Sequence, residues 1–321
     1  MSSNQDRTSD PDSGSGPELG LELGIAAESL GARLPPLLVA ALRVAETVSP
    51  GAHGRRRVGL GESFWQFRAY QAGDTIDRID WRQSAKGDRL YIRETEWTAA
   101  QTVWLWRDSG PGLAYHSKRA LPTKRSRADL LLLALSALLL RGGERIGLLG
   151  VDALPRSGRG ALAAILAGLQ RDTNLNAIDR PAARHATLVL FSDFLDPIGD
   201  IARAFDRMAP PGAPAELVQI LDPAELALPF SGRVRFREMA AHASPDADVL
   251  APRVEAIQAA YIEALRRQQE SLAALARSRG WGFMVHPTDE APEVPLRALH
   301  GRLSARIGEG ARPPNDTGVG A

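Results

Sequence analysis

The chain has 321 residues, a formal net charge of +1 and no cysteine. This length suffices for one large domain and a smaller one, whose cores need neither disulfides nor metals to hold them. Without cysteine, disulfide frameworks, thiolate metal sites and a cysteine nucleophile are excluded. A net charge near zero supplies no overall attraction to nucleic acid or to an anionic membrane. We therefore expect a cytoplasmic globular protein that binds no nucleic acid.

Both ends of the chain are predicted as disordered tails, over residues 1–24 and 308–321. The N-terminal tail is polar and partly acidic, and it lacks the basic start and apolar core of a signal peptide. The most apolar stretch, from Leu130 to Leu140, is about half of the roughly 20 residues that a membrane-spanning helix needs. It is predicted as a buried helix, and we expect no membrane span.

Residues 25–100 are predicted to form an N-terminal helix and a small all-β module. Apolar positions at helical spacing are interrupted by Pro35 and Pro36, which are tolerated in a first helical turn but not within a helix. Beyond residue 50, glycines punctuate short apolar and aromatic runs. The segment from Arg89 to Trp97 alternates polar and apolar residues, as a half-buried strand does.

Residues 101–307 are predicted to form an α/β domain with a doubly wound, mostly parallel sheet. Strand-like and helix-like segments alternate, and the strands are continuously apolar, which is typical of a parallel sheet covered by helices on both faces. The predicted elements are, in chain order, strand 103–106, helix 126–141, strand 146–149, helix 160–169, strand 187–191, helix 198–208, strand 217–221, a hairpin around 231–232, helix 251–279, strand 282–285 and helix 294–306.

Three of these strands end on an acid, namely Asp108, Asp193 and Asp222. Ligands of open α/β sheets bind in the crevice outside the carboxyl ends of the strands. This edge of the sheet is therefore predicted to be the functional one. His286 ends a fourth strand and could line the same edge, although a plain role at the end of the strand is favoured.

The densest motif of the chain lies between Arg55 and Lys86, where aromatic residues are interleaved with arginines and aspartates. Its aspartates can be interpreted as catalytic or metal-binding carboxylates, as part of a partner-binding surface, or as structural partners of the arginines. The planar fork of arginine suits paired contacts with carboxylates, so the structural network is favoured. The residues of this motif network are Gly61, Glu62, Phe67, Arg68, Tyr70, Gly73, Asp74, Asp77, Arg78, Asp80, Trp81 and Arg82.

The order of the motif residues resembles a known bacterial family, the MoxR-associated domain-of-unknown-function family fifty-eight. The resemblance extends over about residues 25–305. It implies an α/β body similar to a von Willebrand factor A-type domain, and a partnership with a MoxR-type AAA+ ATPase. Many longer members of that family carry N-terminal membrane helices, and this chain is similar to the short, soluble form. The matching segments are Gly61-Glu62, Phe67-Arg68-x-Tyr70, Gly73-Asp74, Ile79-Asp80-Trp81-Arg82, Ser84-Ala85 and Arg93-Glu94.

The resemblance also implies a place for a divalent cation at the carboxyl edge of the sheet. A-type domains often hold such an ion with an Asp-x-Ser-x-Ser loop, a threonine and a later aspartate, because Mg²⁺ prefers about six oxygen ligands. In this chain the loop begins at Asp108, but Gly110 and Gly112 stand at the two serine positions. Thr173 and Asp193 match the threonine and the later acid. With two hydroxyl ligands missing, Mg²⁺ is expected to bind weakly, and no other cofactor is expected.

These observations favour a protein-binding adaptor or co-chaperone, without catalytic activity, that works with a MoxR-type ATPase and its client. The chain lacks the Gly-x-x-x-x-Gly-Lys-Ser/Thr phosphate loop and the paired-histidine pattern of zinc hydrolases. Two alternatives stay open. One is a divalent-metal-dependent hydrolase that uses Asp108, Asp193 and Asp222, and the other is a scaffold that associates with itself.

Overall fold

A computed structural model describes residues 35–49, 64–71, 79–87, 89–95, 100–158, 160–171, 178, 181–183, 186–237 and 248–310. Across these ranges, no helix is both long and apolar enough to cross a bilayer. The helices are α1 (Pro36–Val48), α2 (Trp81–Ser84), α3 (Lys124–Arg141), α4 (Ala161–Gly168), α5 (Ile198–Met208), α6 (Pro223–Ala227), α7 (Glu255–Ser278) and α8 (Glu293–Gly310). The strands are β1 (Phe64–Ala69), β2 (Tyr91–Thr95), β3 (Thr102–Arg107), β4 (Arg145–Leu148), β5 (Thr187–Ser192), β6 (Ala215–Leu221), β7 (Val234–Phe236), β8 (Val249–Ala251) and β9 (Gly282–Pro287).

Five of the strands form one parallel sheet, in the spatial order β4, β3, β5, β6, β9. The chain enters the sheet at β3, moves outward to β4, and then returns past β3 to form β5 on its other side. Such a change of direction opens a crevice outside the carboxyl ends of the two inner strands. The prediction of an α/β fold with a mostly parallel sheet is confirmed, and its crevice lies between β3 and β5.

Side chains of the sheet alternate between two apolar cores, one on each face. In β3, Val103 and Leu105 pack in the core that α1, α3, α4 and α8 cover. Trp104 and Trp106 point to the opposite face, where α5 and α7 cover the sheet. Because both faces are covered by helices, both sets of strand positions are apolar, and this accounts for the continuous apolar runs in the sequence.

The helix α3 fills the centre of one core, and it begins at Lys124 rather than at the predicted residue 126. Thr123 is its N-cap, because the Thr123 hydroxyl accepts a hydrogen bond of 3.1 Å from the Ser126 backbone N–H. The residues from Leu131 to Leu139 are all buried. The prediction of a buried helix across this apolar stretch is therefore confirmed, and the earlier start brings Lys124 into the helix.

The helix α7 begins at Glu255 rather than at residue 251 as predicted. The residues just before it, Val249–Ala251, instead pair in antiparallel fashion with Val234–Phe236 to form the small β7–β8 sheet. The predicted hairpin around residues 231–232 is therefore wrong, because that turn precedes both strands of the pair instead of joining them. Short strands of this kind carry too little periodic signal to be separated from an adjoining helix.

The N-terminal part combines the helix α1, which packs on α3, with an antiparallel pair of strands, β1 and β2. The helix starts at Pro36, the position at which a proline is tolerated. The short helix α2 lies between the two strands. Asp80 is its N-cap, since the Asp80 carboxylate accepts a hydrogen bond of 2.8 Å from the Gln83 backbone N–H. Ser84 then ties this helix to β2 by accepting a hydrogen bond of 2.9 Å from the Tyr91 backbone N–H.

The motif network is described only in part. Phe67 and Arg68 lie on β1, where only their backbone is described, and Tyr70 directly follows that strand. Asp80 serves α2 as its cap, while Trp81 and Arg82 begin that helix with exposed side chains. The remaining members lie outside the described residues, and they are Gly61, Glu62, Gly73, Asp74, Asp77 and Arg78.

Candidate functional site

A buried lysine lies at the carboxyl edge of the sheet, between two carboxylates. The Nζ of Lys124 is 2.8 Å from Asp193 Oδ2 and 2.6 Å from Glu225 Oε1. The lysine is only 1% exposed. Lys124 comes from the start of α3, Asp193 follows β5, and Glu225 belongs to α6, so three separate segments meet at one ammonium group. We call Lys124, Asp193 and Glu225 the lysine cluster.

The lysine cluster is held in its charged state by its own geometry. Burial by itself lowers the pKa of Lys124, but the Asp193 and Glu225 carboxylates outweigh it, and the pKa is raised above its ordinary value. Burial raises the pKa of Glu225, which the ammonium of Lys124 in part opposes. Lys124 stays protonated and donates hydrogen bonds to two carboxylates. It is therefore unsuited to act as a nucleophile or as a general base.

Asp108 lies beside the cluster, and both of its carboxylate oxygens are engaged. Oδ1 accepts a hydrogen bond of 2.9 Å from the Gly110 backbone N–H, and Oδ2 accepts one of 2.8 Å from the Ser192 hydroxyl. Burial raises the pKa of Asp108, and the nearby Asp193 carboxylate raises it further. Asp108 therefore joins the ends of β3 and β5 across the crevice, as a structural acceptor.

Asp222 ties a third strand end into the same edge. Its carboxylate accepts hydrogen bonds of 2.8 Å from the Ala224 backbone N–H, which caps α6, and of 2.8 Å from the Ser117 backbone N–H. Glu225 completes a capping box, because its Oε2 accepts a hydrogen bond of 2.8 Å from the Asp222 backbone N–H. One oxygen of Glu225 thus stabilises the start of α6, and its other oxygen binds the ammonium group of Lys124.

The segment after β5, from Asp193 to Pro197, is fixed at its base and exposed at its tip, and we call it the β5 loop. Phe194 is fully buried with φ of 47°, a left-handed conformation that a phenylalanine seldom adopts. Gln219 donates a 2.8 Å hydrogen bond to the Asp193 carbonyl, and Gln268 donates one of 2.8 Å to the Asp196 carbonyl. At the tip, Leu195 is 42% exposed and Asp196 is exposed beside it.

The tip of the β5 loop lies at an acidic part of the sheet edge. Partial desolvation raises the pKa of Asp196, and the carboxylates of Asp108, Asp193 and Asp200 raise it further. Asp193 is neutralised by Lys124, but Asp196 has no counter-ion among the described residues. The exposed tip therefore combines one apolar side chain with an uncompensated negative charge.

The donors at this edge do not fit a divalent cation. Both carboxylate oxygens of Asp108 accept hydrogen bonds from within the chain, and Oδ2 of Asp193 accepts one from the Lys124 ammonium group. Positions 110 and 112, where the cation-binding pattern has serines, are glycines. Thr173 lies outside the described residues. Within the part of the chain that the structure describes, no group of three His, Asp or Glu side chains is arranged to hold a metal ion.

His286 lies on β9 near the same edge, but it is only 1% exposed. Burial, together with the positive charge of Arg127 beside it, lowers the pKa of His286 to about 4. Its two ring nitrogens, two guanidinium nitrogens of Arg127 and the hydroxyl of Thr288 have no hydrogen-bond partner among the described residues. His286 is thus a neutral buried group, and no solvent-facing base of the crevice.

The sequence interpretation identified the acids of this edge and missed the groups that neutralise them. Asp108, Asp193 and Asp222 do lie together, at the ends of β3, β5 and β6. Lys124 and Glu225 were missed, since contact between residues 69 and 101 apart in the chain is invisible to local patterns. One signal was present: nearly all basic residues of the chain are arginines, and Lys124 is one of only three lysines.

Two solved bacterial structures show a distant likeness to this chain. One is described as the conserved hypothetical protein BatB from Bacteroides thetaiotaomicron, with a TM-score of 0.35 and 10% identity. The other is described as an aerotolerance-related membrane protein from Bacteroides fragilis, with a TM-score of 0.33 and 12% identity. Each alignment covers 65% of this chain and 100% of the solved chain.

Sequence comparison places the chain in a family. Uncharacterized proteins of Mycobacterium bovis and Mycobacterium tuberculosis are each 29% identical to it over 231 residues, which is 62% of this chain and 70% of the relative. The family model described as "Protein of unknown function DUF58" matches residues 66–271, more than half of the chain. This confirms the family resemblance carried by the motif. The chain therefore belongs to the DUF58 family of proteins of unknown function.

Proposed function

We propose that this chain is a protein-binding module without catalytic activity, an adaptor or co-chaperone, and that it presents the β5 loop to its partner. The observation that carries the proposal is the contrast within that loop. Its base is held by the buried Phe194 and by hydrogen bonds from Gln219 and Gln268, while Leu195 at its tip is 42% exposed. A rigid loop with an exposed apolar side chain loses little conformational entropy when it binds.

The buried charges below the loop support a role in holding the surface rather than in chemistry. Lys124 donates to Asp193 and Glu225, and Asp108 accepts from Gly110 and Ser192, so these groups are engaged with one another. A catalytic acid or base must be able to reach a substrate proton with a free oxygen or nitrogen. Closed networks of this kind instead hold several chain segments in one arrangement.

We propose further that the body is a von Willebrand A-like domain and that the partner is a MoxR-type AAA+ ATPase, together with the client of that ATPase. The motif resemblance supports both statements. The strand order supports the first, because the first strand of the domain lies inside a parallel sheet and the crevice forms between it and β5. The exposed Leu195 at the tip of the β5 loop fits a partner that offers an apolar contact.

The test is an affinity measurement between the full chain and a purified MoxR-type ATPase from the same organism. The variant Leu195→Asp changes the exposed tip of the β5 loop. The matched control, Ala274→Asp, places the same side chain on the exposed side of α7. We expect Leu195→Asp to weaken binding by about tenfold or more, as changes at the centre of an interface do, and Ala274→Asp to leave it unchanged.

Two results would contradict this proposal. One is a wild-type chain that does not bind the ATPase under any nucleotide condition, and the other is equal affinity of the two variants. Light scattering of the wild-type chain alone shows in the same preparation whether copies bind each other. If the wild-type chain forms a dimer that Leu195→Asp dissociates, the partner of the β5 loop is a second copy of this chain and not the ATPase.

A further inference from the structure

We infer that the ammonium group of Lys124 takes the place of a divalent cation at the carboxyl edge of the sheet, so that this edge is completed by an internal cation. Lys124 is buried and donates to Asp193 and Glu225 whether or not a partner is bound to the exposed tip of the β5 loop. Asp193 is the residue that the motif resemblance implies as a metal ligand.

The atom that Lys124 binds is also the atom that a side chain at position 112 would reach. A Cβ built on Gly112 would lie 3.0 Å from Asp193 Oδ2, and Lys124 Nζ lies 2.8 Å from the same oxygen. A serine at 112, as in the cation-binding pattern, would therefore compete with the lysine for this oxygen. Glycine at 112 leaves Asp193 Oδ2 without a side chain in contact with it from this position, while Lys124 binds the same oxygen from α3.

The first loop position shows the same relationship for Asp108. A Cβ built on Gly110 would lie 3.3 Å from Asp108 Oδ1, the oxygen that already accepts from the Gly110 backbone N–H. A hydroxyl-bearing side chain would crowd this contact. Gly110 and Gly112 thus differ from the serines of the pattern in a way that suits the internal hydrogen bonds seen here.

The surroundings of Lys124 also satisfy the ammonium group. Two of its three hydrogens are directed at Asp193 and Glu225, and the ring of Tyr115 lies 5.9 Å from Nζ. An aromatic face within about 6 Å attracts a cation. The two carboxylates and the ring together replace the water that would solvate an exposed ammonium group. A second cation bound at Asp193 would be repelled by the positive charge of Lys124.

The experiment measures thermal unfolding of the full chain in EDTA, and in MgCl2, CaCl2 or MnCl2. The variants are Lys124→Ala, the double variant Lys124→Ala/Asp193→Asn, and the control Lys118→Ala, which removes an exposed lysine nearby. We expect the wild-type and control Tm to be the same with and without metal. We expect Lys124→Ala to have a lower Tm in EDTA and to regain about 5 °C in metal at about 100 times its Kd. The double variant should lose this gain.

Two outcomes would overturn the inference. The first is a wild-type chain that a divalent cation stabilises through Asp193, since the position would then be open to metal. The second is a folded Lys124→Ala variant that no divalent cation stabilises, since Lys124 would then be an ion pair and nothing more. If Lys124→Ala does not fold in EDTA, Lys124→Gln, which keeps a long polar side chain without the positive charge, is measured in the same way and judged by the same two outcomes.

Discussion

Lys124 Nζ and Asp193 Oδ2 lie 2.8 Å apart, although the two residues are separated by 69 positions in the chain. Their contact joins the first turn of α3 to the end of β5, directly at the crevice of the sheet. Glu225 extends the contact to α6. One cation is thus shared among three segments of the chain at this edge of the sheet.

Replacing Lys124 by methionine should lower the free energy of unfolding by about 3–5 kcal/mol, because two buried carboxylates would lose their counter-ion. Urea unfolding at pH 7 measures this change. The exposed Lys118, replaced by methionine, is the matched control and should change stability by no more than about 0.5 kcal/mol. A Lys124→Met variant as stable as the control would show that the lysine cluster does not stabilise the fold.

Replacing His286 by phenylalanine should make stability less sensitive to acid. The pKa of His286 is about 4 in the folded chain, against its ordinary value of 6.5 in an unfolded one, so between these pH values the unfolded chain binds the extra proton and stability falls as pH falls. At pH 5 the shifted pKa of His286 lowers the free energy of unfolding by about 2 kcal/mol. The loss of free energy of unfolding between pH 7 and pH 5 should therefore be smaller in the variant than in the wild type by about that amount.

The control for this measurement is His116→Phe, at an exposed histidine. Asp108, Asp129 and Glu225 have raised pKa values and act in the opposite direction, since their protonation favours the folded chain as pH falls. They are present in both variants and cancel in the comparison. The same pH dependence in wild type and His286→Phe would contradict the neutral, buried state of His286.

Replacing Gly282 by alanine should destabilise the outer part of the sheet. Glu216 is fully buried and pairs with Arg302 at 2.9 Å and Arg306 at 3.3 Å, both on α8. A Cβ on Gly282 would lie 2.0 Å from Glu216 Oε2, so the carboxylate would have to move away from its arginines. We expect a loss of about 1–3 kcal/mol, as for other overpacked sites.

The matched control is Gly301→Ala, within α8, where an added Cβ would meet nothing within 4 Å. Because alanine favours a helix over glycine by about 1 kcal/mol, this variant should be as stable as the wild type or more so. Thermal unfolding compares the two alanine variants directly. Equal stability of both would mean that the Glu216 carboxylate has room to shift without cost.

The α/β order of the domain could be predicted because its parallel strands are continuously apolar and its helices are separated by glycines and prolines. The acids of the edge could be predicted as well, since Asp108, Asp193 and Asp222 each end a strand. The chemical role of these acids could not be predicted from the sequence. Whether a carboxylate holds a metal, a lysine or a backbone N–H depends on contacts across the fold, such as that of Lys124 with Glu225, 101 residues away.

The start of α3 illustrates the same limit at the local level. Ser126 and Thr123 are both acceptable caps, and only the observed hydrogen bond from the Ser126 N–H to Thr123 Oγ1 decides between them. A shift of a few residues in this boundary decides whether Lys124 belongs to a loop or to the helix. The β7–β8 pair was hidden for a related reason, because each of its strands spans only three residues.

The most direct test of the proposed binding surface is amide hydrogen exchange of the full chain, measured with and without the MoxR-type ATPase. We predict slower exchange, on addition of the ATPase, in peptides that cover residues 193–200 and the neighbouring loop 109–117, with α7 beyond residue 270 unchanged. Unchanged exchange across residues 193–200 in a complex that has demonstrably formed would contradict it, because the partner would then bind elsewhere.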